Sequence, residues 1–185
     1  MPKVVVVLAD GFEEVEAMAI VDILRRGEIE TVIAGLHGGP VVSARKVKVL
    51  PDTTIDTIRA EDYDMIVLPG GQPGSDNLNA DERVKQLIRD FHDKGKYTGA
   101  ICAAPYVLAN AGVLKGRCAT AYPSYRDRLG GAVYQEKSVV EDSTVLTSRG
   151  AGTALCFGLA IVGKLVSREK ATAIKEAMLI REECD

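Results

Sequence analysis

The chain has 185 residues, 46% of them hydrophobic and 26% charged, and its 23 basic and 26 acidic side chains give a net charge of −3. This is an ordinary globular mixture of about one domain's length, able to bury roughly 70% of its unfolded surface without a metal or disulfide to hold the core. It excludes a strongly basic nucleic-acid footprint, and no apolar run reaches the ~18 residues of a membrane span.

The N-terminus runs directly into a strand pattern at Val4–Ala9 and shows no small-residue cleavage site. No signal peptide is therefore expected, and a cytoplasmic location follows. Asp10-Gly11 ends the strand, and a helix is predicted over Glu13–Arg26. Its first turn carries Glu13, Glu14 and Glu16, which suit the positive end of a helix dipole. On the helical wheel Asp22, Arg25 and Arg26 mark the solvent side. Glu14 falls on the flank, while Glu13 and Glu16 turn inward with Ile20, Ile23 and Leu24. An inward carboxyl has a raised pKa and can donate a hydrogen bond to a thiolate or shuttle protons. Periodicity leaves Glu13 and Glu16 both open for that role.

Further strands are predicted at Thr31–Leu36, Met65–Leu68 and Tyr97–Cys102. A second helix is predicted at Asp81–Lys94, where Val84, Leu87, Ile88 and Phe91 form one apolar stripe. Continuously apolar strands alternating with helices imply right-handed βαβ units. The expectation is a single α/β domain over residues 1–185, its sheet mostly parallel, with helices on both faces. The stretch Arg117–Ser148 is richer in short β-like runs, including Ala132–Gln135 and Ser138–Val140. The end reads as helical, Thr153–Val166 and then Arg168–Glu182 with Ser167 as N-cap. No linker, repeat or low-complexity segment interrupts the pattern.

Specialised residues are scarce: four cysteines, two histidines and no tryptophan. The cysteines form no CxxC pair, and with only His37 and His92 beside them they predict no tetrahedral metal site and no cofactor. A reducing cytosol argues against structural disulfides. Cys118 and Cys156 read as buried hydrophobes, and Cys184 as part of a mobile tail.

Cys102 is different. In Gly99-Ala100-Ile101-Cys102-Ala103-Ala104-Pro105 a strand ends at the cysteine, and Pro105 opens the next helix, continuing through Tyr106–Ala111. Small residues on both sides fit a nucleophile elbow, where strand and helix approach closely. The helix start favours a thiolate. The structural alternative is a buried cysteine that merely ends a strand. A neighbouring strand ends in Pro69-Gly70-Gly71, where backbone N–H groups can approach a ligand, so the Gly71 and Ala103 N–H groups are a candidate oxyanion hole. His92 precedes the Cys102 strand and sits at its far end, roughly 20 Å away at ~3.3 Å per residue. His37 lies on the correct edge, in the loop with Gly38-Gly39-Pro40, and reads as a solvated loop residue.

Four segments in order, Leu8-Ala9-Asp10-Gly11-Phe12-Glu13-Glu14-Val15-Glu16, Val67-Leu68-Pro69-Gly70-Gly71, Ala100-Ile101-Cys102-Ala103-Ala104-Pro105 and Thr147-Ser148-Arg149-Gly150-Ala151-Gly152-Thr153, resemble the ThiJ/PfpI superfamily. The similarity is closest to the branch of the Parkinson-disease protein deglycase and its bacterial homologues, and it covers nearly the whole chain. The resemblance implies a flavodoxin-like α/β sandwich, usually a homodimer, with Cys102 as the reactive, oxidation-prone cysteine. It selects Glu16 as the protonated glutamate that hydrogen-bonds this cysteine. It implies an oxyanion-binding turn at Gly70, Gly71 and Ala103, an Arg45 reaching the site from the partner subunit, and a pocket lining at Ala151-Gly152. The implied activity is cofactor-independent conversion of methylglyoxal to lactate, or repair of methylglyoxal-glycated protein or nucleotide, in carbonyl and oxidative stress. Membrane and sequence-specific nucleic-acid partners are not implied.

Two positions depart from the pattern. Protease-like members carry His directly after the nucleophile, where this chain has Ala103, which weakens a protease or amidase reading. Many relatives place a His where this chain has Tyr122, whose phenol of pKa ~10 is a poor base at neutral pH. A cysteine-based stress sensor or redox-regulated chaperone is the alternative from a different functional class.

Overall fold

The computed structural model describes residues 1–181 and Cys184. In chain order the strands and helices are β1 (Lys3–Leu8), α1 (Glu14–Arg26), β2 (Glu30–Gly35), β3 (Val41–Val42), β4 (Lys48–Val49), β5 (Thr53–Thr54), β6 (Met65–Leu68), α2 (Gly74–Ala80) and α3 (Glu82–Asp93). They continue with β7 (Tyr97–Ile101), α4 (Pro105–Asn110), β8 (Cys118–Ala119), β9 (Val133–Tyr134), β10 (Val139–Asp142), β11 (Val145–Ser148), α5 (Ala154–Leu165) and α6 (Arg168–Ala177). A seven-stranded sheet runs in the order β10-β11-β7-β6-β1-β2-β5, parallel throughout except for the β10–β11 hairpin at one edge. The expected α/β class and mostly parallel sheet are therefore present, with the predicted elements shifted by one or two residues at their ends.

The sheet divides the core in two because strand side chains alternate between faces. Val5 and Val7 of β1, with Ile66 and Leu68 of β6, join the cluster that holds Val84, Leu87, Ile88 and Phe91 of α3 and Val107 and Leu108 of α4. Val4, Val6 and Leu8, with Met65 and Val67, join Ile20, Ile23 and Leu24 of α1 and Phe157, Ile161 and Val162 of α5. Helices thus cover both faces, and β1, β6 and β7 are buried on each.

Three features differ from expectation. Helix α2 was not predicted, because its Gly-Ser-Asp-Asn composition lacks an apolar stripe; it buries only Gly74, Ser75 and Leu78. The last helix ends at Ala177, short of the predicted Glu182: Met178 caps it and Leu179 turns left-handed at φ 56°, so residues 178–181 are not helical, and Glu182 itself lies outside the described residues. The third is a correction: Cys156 and Cys184 are joined in a disulfide with Cα atoms 5.1 Å apart. Helix α6 packs back on α5 and returns the C-terminal segment to Cys156, a proximity that a separation of 28 residues does not disclose. Cys156 is buried as expected, whereas Cys118 is only half-buried. Among the described residues no helix is long and apolar enough to cross a membrane.

Candidate active site

The strand ends β1, β6, β7 and β11 lie side by side, so the turns that follow them meet at one edge. Cys102 directly follows β7 and adopts φ 65°, a left-handed conformation that non-glycine residues rarely hold. Two backbone hydrogen bonds fix it there. The Cys102 N–H donates to the Ser148 carbonyl at 2.9 Å, and the Tyr122 N–H donates to the Cys102 carbonyl at 2.8 Å. The elbow predicted from small neighbours is therefore present, with Ala103 and Ala104 buried behind it.

The carboxyl comes from α1. Glu13 is the N-cap residue, its side chain accepting from the Glu16 N–H at 2.8 Å. That engagement resolves the choice left open by periodicity: Glu13 serves the helix end, while Glu16, one turn on, is fully buried. Glu16 Oε2 accepts the Gly70 N–H at 2.8 Å, and its carboxyl lies within hydrogen-bonding reach of the Cys102 thiol. Glu16 Oε1 is buried and receives no conventional N–H or O–H donor. A carboxylate with one donor is poorly solvated, and burial pushes Glu16 up to about 7.

The sulfur accepts hydrogen bonds from the backbone of Ala103 and Gly71, which favour its anion. Burial opposes them, followed by the Glu16 charge and hydrogen bond, and together these push the thiol up to about 12. Helix α4 has only six residues, so its dipole contributes less than the elbow pattern suggested. The thiolate therefore depends on where the shared proton sits. With the proton on Glu16, the opposing charge is gone and the two N–H groups face the sulfur alone.

Gly70 and Gly71 have distinct reasons to be glycine. A Cβ at Gly70 would lie 2.7 Å from Cys102 Cβ and 2.8 Å from Glu16 Oε2. Gly71 has φ 97°, and a Cβ there would lie 2.4 Å from the Glu13 nitrogen. The turn is thus pressed against the start of α1, which holds the Gly71 N–H toward the sulfur.

The remaining predicted residues surround this centre at different removes. Tyr122 is half exposed, its ring 3.6 Å from where a Cβ on Gly150 would sit. Ala151 is exposed and opens a short 3-10 segment directly after Gly150. Arg45 is exposed in the β3–β4 turn and forms no hydrogen bond or ion pair among the described residues. That turn is tied to the site edge by the Ala44 N–H, which donates to the Phe12 carbonyl at 2.8 Å. Neither histidine is placed to act as base. His92 lies at the end of α3, while His37 spends Nδ1 on the Gly38 carbonyl at 2.9 Å and Nε2 on Asp10 Oδ2 at 3.1 Å. The Ser148 carbonyl was not anticipated as the anchor of Cys102. Its part depends on the β7–β11 register, although the Thr147–Thr153 run had marked the segment.

A cysteine held on a left-handed elbow beside a buried carboxyl, at the carboxyl edge of a mostly parallel sheet, defines a flavodoxin-like protein with a cysteine-centred site. Residues 2–164 match the model of the DJ-1/PfpI family, and the chain belongs to that family. It is 40% identical over 178 residues to Protein dj-1beta of Drosophila melanogaster, covering 95% of each chain. It is 32% identical over 170 residues to the glutathione-independent glyoxalase DJR-1.2 of Caenorhabditis elegans, covering 91% of this chain and 90% of that one. Against Protein DJ-1 homolog B of Arabidopsis thaliana the identity is 40%, but the chain spans only 41% of that relative's length. The solved structure of oxidized DJ-1 from Toxoplasma gondii superposes with a TM-score of 0.94 at 33% identity, over 98% of this chain and all of that one.

Proposed function

We propose that the protein is a cofactor-independent glyoxalase acting on methylglyoxal or related small 2-oxoaldehydes, with methylglyoxal adducts of protein or nucleotide as further substrates. The observation that carries this reading is the Cys102–Glu16 pair, with two backbone N–H groups already directed at the sulfur. The glyoxalase name of the C. elegans relative supports it.

Transfer of the thiol proton to Glu16 yields a thiolate, which attacks the aldehyde carbon. The resulting alkoxide, solvated by the Gly71 and Ala103 N–H groups, takes a proton to become a hemithioacetal. Ionised Glu16 then removes the hydrogen from C1, and the enediol is reprotonated at C2. The aldehyde carbon is thereby oxidised to a thioester and the ketone reduced to an alcohol, with no external electron carrier. Water cleaves the thioester, releases a 2-hydroxy acid and restores the thiol. Methylglyoxal plus water gives lactate in balance. Tyr122 and Ala151 border the bound substrate in this scheme, and Arg45 acts across a homodimer interface.

The test is lactate formation from methylglyoxal. Cys102→Ala should abolish it, and Glu16→Gln should lower it by roughly 10²–10⁴-fold, the range for a lost general acid–base group. Turnover retained by Cys102→Ala would overturn the reading. We place the activity in the cytoplasm, and the Cys156–Cys184 disulfide is the one observation that pulls the other way.

A second reading shares the same cage. The N–H groups that face the sulfur suit the oxygens of a cysteine sulfinate, formed from the thiol and two equivalents of peroxide with release of two waters. The oxidized state named for the Toxoplasma structure supports it. Peptide-resolved mass analysis after mild peroxide should then find two added oxygens at Cys102 and none at Cys118. Equal modification of both free thiols would count against a tuned sensor.

A further inference from the structure

Two loops that hydrogen-bond to Cys102, one at its sulfur and one at its backbone carbonyl, are tied together by side chains that the proposed chemistry does not use. One is Gly71-Gln72, whose Gly71 N–H faces the sulfur. The other is the 3-10 segment Pro123–Arg128, whose N-cap residue Tyr122 donates its N–H to the Cys102 carbonyl. None of this segment's residues is fully buried; only the Tyr125 ring and the following Leu129 pack on the core. Side-chain tethers add to that hold.

The first tether is a hydrogen bond from Gln72 Nε2 to the Tyr125 hydroxyl. The second is Arg128, whose guanidinium lies 4.1 Å from the Tyr106 ring centroid and 5.0 Å from that of Tyr125. The two rings stand 5.5 Å apart. Tyr106 is itself anchored: it is buried in α4, and its hydroxyl donates to Asp76 Oδ1 at 2.6 Å. The Tyr125 N–H returns to the Tyr122 carbonyl at 2.8 Å, so a shift of Tyr125 is passed on to Tyr122. The chain thus closes a circuit that starts at the sulfur's Gly71 donor, passes through Gln72, Tyr125 and Tyr122, and ends at the Cys102 carbonyl.

We propose that Gln72, Tyr125 and Arg128 form a latch that fixes the width of the mouth over Cys102. It admits small 2-oxoaldehydes and disfavours bulky aryl ones. These three are positioning residues, acting through Tyr122 and not on the reacting atoms. The substrate class rests on the glyoxalase reading, whereas the latch itself rests on geometry alone.

The experiment is therefore built on a readout that needs no turnover. Rates of Cys102 modification by iodoacetamide and by the bulky N-(1-pyrenyl)maleimide are followed by peptide-resolved mass spectrometry, which separates Cys102 from Cys118. Wild type is compared with Gln72→Ala, Tyr125→Phe, their double variant and Arg128→Ala. Tyr125→Phe removes the hydroxyl but keeps the ring beneath Arg128. The bulky-to-small rate ratio should rise about fivefold or more in each variant, the factor expected when one ordinary hydrogen bond or, for Arg128, its cation–ring contacts are lost. The double variant should match its two singles, because both break the same bond. A ratio unchanged in every variant overturns the latch, as does an equal rise for both reagents, which would mark general loosening. The phenylglyoxal-to-methylglyoxal ratio of kcat/KM should rise in parallel, through KM. A shifted alkylation ratio in a protein that turns over neither aldehyde leaves the latch standing and removes the glyoxalase reading. An unshifted ratio in an active enzyme does the reverse.

Discussion

Glu16 keeps a single conventional donor, the Gly70 N–H, at a fully buried position, and its acidity follows from that. Its folded-state pKa of about 7 stands above the ordinary 4.5. Between these values the folded protein holds a proton that the unfolded chain has lost, so stability falls as pH rises through this window. Below 4.5 both states are protonated and the cost disappears; above 7 it reaches its full size, about 3 kcal/mol for a shift of this extent. Glu16→Gln removes the titration. Its urea midpoint relative to wild type should therefore climb from pH 4.5 to pH 7.5 and level off above. A difference that stays flat across that range would show that the carboxyl does not titrate there. The same residue marks a limit of sequence reading. The helical wheel brought Glu13 and Glu16 inward together; the family resemblance selected Glu16, and the physical difference is the N-cap bond that engages Glu13 and the full burial of Glu16 against Gly70.

At the scale of elements, the site depends on how tightly the β6–α2 turn packs on the start of α1. In Gly71→Ala the new Cβ would meet backbone atoms at 2.4 and 2.6 Å, and backbone cannot rotate away as a side chain can. With the positive φ added, the substitution should cost about 2–4 kcal/mol, or a Tm lower by roughly 5–15 °C. Activity should fall further than stability, because the N–H directed at Cys102 moves with the turn. Gly38→Ala, where the added methyl meets nothing within 4 Å, should be close to neutral in the same thermal scan. Strands β1, β2, β6 and β7 were legible because a buried parallel sheet demands continuous apolar runs. Helices α1 and α3 were legible from their apolar stripes and, in α1, from its acidic first turn. Helix α2 was not, since it contributes little apolar surface, nor was β11, whose value lies in presenting the Ser148 carbonyl to Cys102. The Cys156–Cys184 bond was missed for a related reason: α5 and α6 create the proximity and no local spacing encodes it. Closing a loop of this length should stabilise the fold by up to about 3–4 kcal/mol. Dithiothreitol should lower the Tm of wild type toward that of Cys184→Ser and leave the variant unchanged. An identical Tm with and without reductant would deny the bond a structural part.

Among the large apolar side chains that stay exposed on the described molecule, three come from neighbouring elements. Val15 is 54% exposed, Val47 47% and Leu50 72%. Val15 lies on α1, Val47 in the β3–β4 hairpin and Leu50 directly after it; the hairpin is joined to the loop that leads into α1 by backbone bonds from Gly11 to Val42 and from Ala44 to Phe12. Large apolar side chains gathered beside a site edge suit a protein–protein contact better than solvent. The partner that the family resemblance supplies is a second copy, with the exposed Arg45 at the same edge. The expected species is a dimer of about twice 19.8 kDa in sedimentation or light-scattering measurements at micromolar concentration. Val15→Asp with Leu50→Asp places charge on both elements of the contact and should yield monomer, while the buried core, which contains neither residue, stays folded. If Arg45 completes the site from across the interface, the monomer and Arg45→Ala should show the same loss in kcat/KM, and combining them should add nothing. Wild type that is monomeric throughout, or a monomeric variant with full turnover, would mean that each chain carries a complete site of its own.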